Sequence, residues 1–329
     1  MGGDHGPATT VPAVAAFLRR HPDTRILLFG AASELPSLDR YGGRLTIVDC
    51  PQRLAADERP AQALRHKRES SLWRALAAVA AGEAAACVSG GETGALMAMS
   101  IAAVGMLPGL ARPAICTLLP TVPGGRVGLL DLGANVDCDA EFLHQFARMG
   151  TARLQVEGVA NPRVALLNVG AEGGKGNRVV KAAAALLETD PSLRYTGFIE
   201  GDQVLLGAAD VVVSDGFVGN VALKSIEGVA RLLVARLRGS VAAGWRRRLL
   251  RPLLDSALSF LDPSQYNGAS LLGLGGVVIK SHGAADAAGF GYALDVARTE
   301  ARGRLPERIA ARLAVVAGGG PGCRVEESP

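Results

Sequence analysis

Short apolar runs rich in Val, Ile and Leu recur along this chain, separated by Ala- and Leu-rich segments of helical period. This alternation restricts the fold more than any other feature. The spacing predicts strands at residues 26–30, 45–49, 85–89, 114–118, 127–131, 164–169, 195–199 and 211–214, and helices such as 60–81 and 139–157. Strands alternating with helices build βαβ units, so the expected fold is α/β with a mostly parallel sheet. Right-handed crossovers place ligand loops at the carboxyl ends of such strands. Glycine-rich segments stand at four of these ends: GGETGA (90–95), DLGANVDCD (131–139), NVGAEGGKGN (168–177) and SDGFVGN (214–220). The expectation is that all four meet on one rim of the sheet and form a single active site.

Such loops suit an anion. Glycine lets backbone approach a ligand, and a helix N-terminus offers unpaired N–H groups with a positive partial charge. Gly91, Glu92, Thr93, Gly94, Asn135, Asp137, Gly216, Lys224 and Ser281 are the candidate substrate-binding residues. The candidate cations are Lys175, Lys224, Lys280 and His282, although Lys224 reads equally well as part of a solvated helix face. Asp131, Asn135, Asp137 and Asp139 crowd one loop without the distal Glu of a calcium site. A hydrogen-bonded scaffold, with Asp139 capping the next helix, is the expected role, and no metal is expected. Ser70 and Ser71 lack a GxSxG elbow and read as backbone-bonding residues. Neither GxGxxG nor GxxxxGK[ST] occurs, which disfavours nicotinamide and nucleoside triphosphate sites.

The chain of 329 residues carries a formal charge of +4, too little to argue for nucleic acid. Its five cysteines are scattered, with no CxxC pair, and Cys87 and Cys116 sit in strand-like runs as small core residues. That usage fits a reducing cytosol. No apolar stretch is long enough to span a bilayer. The opening MGGDHGPATT reads as a loop running into a helix, with Thr9 or Thr10 as caps; a strand is expected ahead of such a loop and nothing precedes Met1. Residues 218–262 read as a helical hairpin, with Leu249, Leu250, Leu253, Leu254, Ala257, Leu258 and Leu261 forming a stripe behind Arg246, Arg247, Arg248 and Arg251. The expected organisation is one domain over residues 1–317 and a disordered tail over 318–329.

Six segments taken together are similar to one family: MGGDHGP (1–7), DLGANVDCD (131–139), NPRVALLNVG (161–170), DGFVGNVALK (215–224), DPSQYNGASLLG (262–273) and VVIKSHGAAD (277–286). In this order and spacing they resemble the bacterial phosphate acyltransferases (acyl-ACP:phosphate acyltransferase, PlsX). The resemblance implies a three-layer α/β/α sandwich related to phosphotransacetylases and isocitrate-dehydrogenase-like folds, with a helical hairpin beside a homodimer interface. It implies transfer of an acyl group from acyl carrier protein to inorganic phosphate without a cofactor, in phospholipid synthesis. The product would feed an integral-membrane glycerol-3-phosphate acyltransferase, from a cytoplasmic enzyme peripherally attached to the anionic inner membrane surface. The family usually has Asn where this chain has Glu92, and an apolar strand ahead of MGGD.

For that chemistry the expected catalytic set is Lys175, Asn220, Lys280 and His282. Lys175 and the N-terminus of the helix at 92–99 would hold phosphate, His282 or Lys280 would polarise the carbonyl or orient the attacking oxygen, and Asn220 would donate an amide. The acyl chain is expected against helices of the 218–262 region and a partner subunit. Two other readings remain at this point: a short-chain phosphotransacetylase, and a non-catalytic scaffold binding acyl carrier protein or membrane.

Overall fold

The computed structural model describes residues 2–35, 42–55, 58, 60–240 and 263–317. In chain order the elements are α1 (Pro7–Arg20), β1 (Ile26–Gly30), β2 (Leu45–Asp49), α2 (Pro60–His66), α3 (Ser71–Ala80), β3 (Ala86–Ser89), α4 (Thr93–Ala103), β4 (Ala114–Pro120), β5 (Arg126–Leu130), α5 (Ala140–Val156), β6 (Arg163–Leu167), α6 (Arg178–Glu188), β7 (Arg194–Ile199), β8 (Val211–Val213), α7 (Gly216–Ser240), β9 (Ala269–Leu272), β10 (Val277–Lys280), α8 (Ala287–Arg302) and α9 (Leu305–Ala317). Strands β1 and β2 form a parallel pair, and the other eight form one sheet in the order β3-β10-β9-β4-β5-β8-β6-β7.

Alternation along the central strands explains the layers. Cys116, Leu118 and Leu130 face one core with Phe146 and Met149 of α5 and Leu187 of α6. Their neighbours Ile115, Leu119 and Leu129 face the other, with Leu76 of α3 and Leu96 and Met99 of α4. Period-2 alternation between two helix-covered faces is what makes these strands apolar throughout. Between the sheet and α5 runs a buried ionic link. The Arg153 guanidinium, 1% exposed, meets Glu300 of α8 at 2.6 Å and Glu157 at 2.7 Å, and Ser270 of β9 donates to Glu300. Removing one member would leave a buried charge unpaired, so this link fixes β9 against both helices.

Three local expectations change. The segment at 60–81 is two helices, because Ser70 ends one turn and starts the next: its hydroxyl donates to the Lys67 carbonyl at 2.6 Å and accepts from the Trp73 N–H. Thr9 and Thr10 lie inside α1 and do not cap it; the helix begins at Pro7 after Gly6. Strand β9, with only four residues and a preceding Asn-Gly, escapes the pattern.

The largest change concerns the rim. Pairs β10–β9, β9–β4 and β4–β5 are antiparallel, so β3 and β10 run opposite to β5, β8 and β6. Their loops therefore leave the sheet in opposite directions and do not share one rim. Register brings their carboxyl ends together by another route. Ile279 pairs with Ser270, Ser270 with Cys116, Cys116 with Leu130, Leu130 with Val213, and Val213 with Leu166. The two strand sets are staggered, and their carboxyl ends approach one cross-strand row from either side.

Candidate active site

At the near end of that row, Lys280 ends β10 beside Ser89, the last residue of β3. Its side chain is half-buried and donates to the Ser281 carbonyl. Burial lowers its pKa from the ordinary lysine range, Lys224 adds to the lowering, and the carboxylates of Glu92 and Asp4 oppose it. Four elements are thus electrostatically joined around one ammonium: the N-terminal loop, the loop after β3, β10 and α7. Asp4 was not among the expected site residues, although it lies in the MGGDHGP segment. It is held by its backbone N–H donating to the Gly283 carbonyl at 2.8 Å.

The loop after β10 is braced by Asn267. Its Nδ2 donates to Ser281 Oγ and to the Gly289 carbonyl, both at 2.8 Å, and its Oδ1 accepts from the His282 N–H at 2.8 Å. Ser281 is fully buried and, held by Asn267, positions the loop. His282 is exposed, and its Nδ1 accepts from the Ala284 N–H, which leaves Nε2 to carry the proton of the neutral ring. Replacing Asn267 with Ala would strand a buried hydroxyl and two backbone groups. We expect a loss of about 2–3 kcal/mol, read as a lower denaturant midpoint with unchanged slope.

Helix α4 bears on one expectation. Its N-terminal amides are already occupied: Glu92 caps the helix, accepting from Gly94 N–H at 2.8 Å and Ala95 N–H at 2.6 Å. A carboxylate at a helix N-terminus is itself the favoured anion there. Phosphate binds those amides only if Glu92 moves. Gly91 N–H is likewise taken, by Ser89 Oγ at 3.2 Å, and Thr93 is the first helical residue.

Across the row, the loop after β5 is a scaffold. Asp131, fully buried, accepts from the N–H groups of Ile115, Ala134 and Asn135 and from Asn135 Nδ2. Asn135 is 4% exposed and spends its second amide hydrogen on the Pro113 carbonyl at 2.8 Å. Its carbonyl accepts from Gly216 N–H at 2.7 Å, so Asn135 and Gly216 fix the loop to the start of α7. Asp137 is exposed, and Asp139 caps α5 through the Phe142 N–H at 2.8 Å. No group of metal-ligating side chains occurs among the described residues.

Helix α7 spans the row. Asn220, exposed, lies over Gly133, whose φ of +116° belongs to glycine. One turn further, Lys224 pairs with Glu227 at 3.0 Å while its charge reaches Lys280. The structure therefore brings together Glu92, Asp4, Lys224 and Lys280, with Asn220 next along the helix. Lys175 stands apart. Its loop follows β6, five strand spacings from β10, roughly 24 Å. The exposed side chain folds back over Gly170. Cys87 and Cys116 are buried core residues whose thiols are pushed up to about 12 by desolvation, which removes them as nucleophiles.

The family described as "Fatty acid synthesis protein" matches residues 1–308. A phosphate acyltransferase of Shewanella amazonensis is 49% identical over 323 residues, covering 95% of this chain and 94% of the relative. The phosphate acyltransferase of Alkalilimnicola ehrlichii is 50% identical over 323 residues, with the same coverage. Among solved structures, a branched-chain phosphotransacylase from Enterococcus faecalis superimposes with a TM-score of 0.59 at 15% identity, covering 90% of this chain and 97% of that one. A phosphotransacetylase from Streptococcus pyogenes gives 0.55 at 14% identity, covering 88% and 98%. The structural likenesses carry the fold alone; the sequence matches, together with the motifs that meet at the row, place this chain in the phosphate acyltransferase family.

Proposed function

We propose that this protein transfers a long-chain acyl group from acyl carrier protein to inorganic phosphate, giving acyl phosphate for phospholipid synthesis. The observation that carries the reading is the half-buried Lys280 where the carboxyl ends of oppositely directed strands meet. A phosphate oxygen attacks the thioester carbonyl, the carbonyl π pair moves to oxygen, and the tetrahedral oxyanion collapses with loss of the carrier thiolate. A thiol of pKa about 8.5 leaves with little acid assistance, so placing phosphate and stabilising negative charge are the main tasks. Lys280 and Lys224 supply the positive field, and Asn220 supplies an amide donor. The Nε2 proton of His282 is free to polarise a carbonyl or orient an oxygen. Lys175 lies too far to share a phosphate with Lys280 in this arrangement, so in this reading it contacts the carrier or the far end of its thioester arm.

Partners follow the same reading: acyl carrier protein, inorganic phosphate, a second copy of the chain, and the inner membrane surface, with a membrane glycerol-3-phosphate acyltransferase taking the product. Supporting a partner for α7, Val221, Val229 and Leu232 are each more than half exposed. The Arg246–Arg251 cluster and the Leu stripe behind it lie outside the described residues, as does the tail at 318–329. No helix among the described residues is long and apolar enough to cross a membrane.

Rates of thiol release from palmitoyl-ACP and from acetyl-CoA, each with phosphate, test the substrate. A preference of at least tenfold for palmitoyl-ACP is expected, and a preference for acetyl-CoA would assign a short-chain phosphotransacetylase. Glu92→Asn supplies a second check. Removing the carboxylate charge beside Lys280 while keeping a helix-capping side chain should lower the KM for phosphate several-fold, and an unchanged or raised KM would assign Glu92 to helix capping alone.

A further inference from the structure

The loop ahead of α1 and the loop after β10 close on each other. The Asp4 N–H donates to the Gly283 carbonyl at 2.8 Å, and Thr9 Oγ1 donates to the Ala285 carbonyl at 3.3 Å. The loop after β3 joins them: Gly2 and Gly3 pack on Gly90 and Gly91, and the Ser281 N–H donates to the Ser89 carbonyl at 2.8 Å. Where the three loops meet, beside Lys280, a hollow of about 10 Å³ is lined by His5, Gly90, His282 and Gly283. It is about the size of one water. Two imidazoles open on this space, and they are not equivalent. His282 Nδ1 accepts from the Ala284 N–H at 3.2 Å, so its neutral ring donates from Nε2 and has no nitrogen left to accept a proton. His5 is exposed, and its side chain makes no hydrogen bond among the described residues, so one ring nitrogen can accept while the other donates. Of the nearby carboxylates, Glu92 has both oxygens on the amides of α4, and Asp4 supports the Lys280 ammonium.

Acyl transfer to phosphate needs a proton carrier. Inorganic phosphate holds a hydrogen at neutral pH, the acyl phosphate dianion does not, and a thiol below its pKa of about 8.5 holds one. One proton therefore travels from phosphate to sulfur in each turnover. We propose that His5 is a further catalytic residue that carries this proton, an assignment that rests on the acyl-transfer reading above. An unprotonated oxygen of the hydrogen phosphate dianion forms the bond to the thioester carbon, and the carbonyl π pair moves to oxygen. Lys280 and the Nε2–H of His282 hold that negative charge. His5 takes the proton of the phosphate hydroxyl and becomes imidazolium. The oxyanion pair then returns to carbon, and the C–S bond breaks with its electron pair on sulfur. The His5 imidazolium gives its proton to the departing thiolate. The products are the acyl phosphate dianion and the carrier thiol, and the ring is neutral again. An imidazole suits this task because it both accepts and releases a proton near neutral pH.

The experiment measures phosphate-dependent thiol release from palmitoyl-ACP by His5→Ala and His5→Gln in the full chain. Gln keeps a hydrogen-bond donor and acceptor but cannot carry a proton. Both variants should lose about 100-fold in kcat, with the KM for phosphate within about twofold of the wild type and an unchanged Tm. Added imidazole should raise kcat of His5→Ala at least tenfold and leave the wild type unaffected. Undiminished kcat in either variant, a loss confined to KM, or no recovery with imidazole would overturn the proposal. Wild-type protein that releases no thiol from palmitoyl-ACP would instead sink the acyl-transfer reading on which the assignment rests.

Discussion

Replacing Lys280 with Ala lowers kcat/KM for phosphate by about 100- to 1000-fold, the size expected when one preorganised charge is withdrawn from a developing oxyanion. Lys280→Arg keeps the charge and retains far more activity. The pH dependence follows from the same residue. Desolvation and Lys224 hold the ammonium pKa below the ordinary lysine range. The charged form is the active one, so the rate falls as pH rises through that lowered value, earlier than an exposed lysine near 10.4 would allow. An arginine stays protonated throughout, so the alkaline fall disappears in Lys280→Arg. Glu92→Asn removes a carboxylate that supports the ammonium and moves the fall to lower pH. An alkaline limb that is identical in the wild type and both variants would remove Lys280 from the chemistry.

Gly219→Ala should be the most damaging added methyl group among the described glycines. A Cβ there would lie 1.9 Å from the Asp131 carbonyl oxygen and 2.7 Å from Ser214 Oγ, and the first of these is backbone held by its own hydrogen bonds. Helix α7 would have to move away from the loop after β5, disturbing Asn220 and Lys224 together. We expect a loss of about 3 kcal/mol or more, as for severe overpacking, and a fall in activity larger than the unfolded fraction explains. Gly228 on the same helix is an internal control, because a Cβ there meets nothing within 4 Å. Gly228→Ala should stabilise by about 0.5–1 kcal/mol through helix propensity alone. Chemical denaturation of both variants checks the pair, and equal midpoints would show that the close approach at Gly219 is relieved at no cost.

The strands were legible because apolar runs between two helix layers need no other explanation. The expected runs at 26–30 and 45–49 coincide with β1 and β2, and the others lie within two residues of the observed bounds at either end. Strand direction was not legible. Residues 269–272 are too short a run to announce themselves; paired antiparallel on both sides, they leave β10 and β4 running the same way, and the antiparallel pair β4–β5 then reverses the sheet. The consequence falls on the site. Lys280 and Lys224, far apart in sequence, are joined by α7 crossing the row, whereas Lys175 is left on the opposite side. The roles of Asn135 and Ser281 were also hidden, because an Asn or Ser in a glycine loop looks the same whether its hydrogen bonds go to backbone or to ligand. Asn267 showed as part of a motif, but only packing reveals that its side chain ties three backbone and hydroxyl groups together.

Titration of the protein with inorganic phosphate by calorimetry bears most directly on where the anion sits. Wild-type protein should bind, Lys280→Ala should bind at least tenfold more weakly, and Lys175→Ala should bind as the wild type does. Undiminished binding by Lys280→Ala, with the loss appearing in Lys175→Ala, would place phosphate beyond β6 and contradict the account of this site.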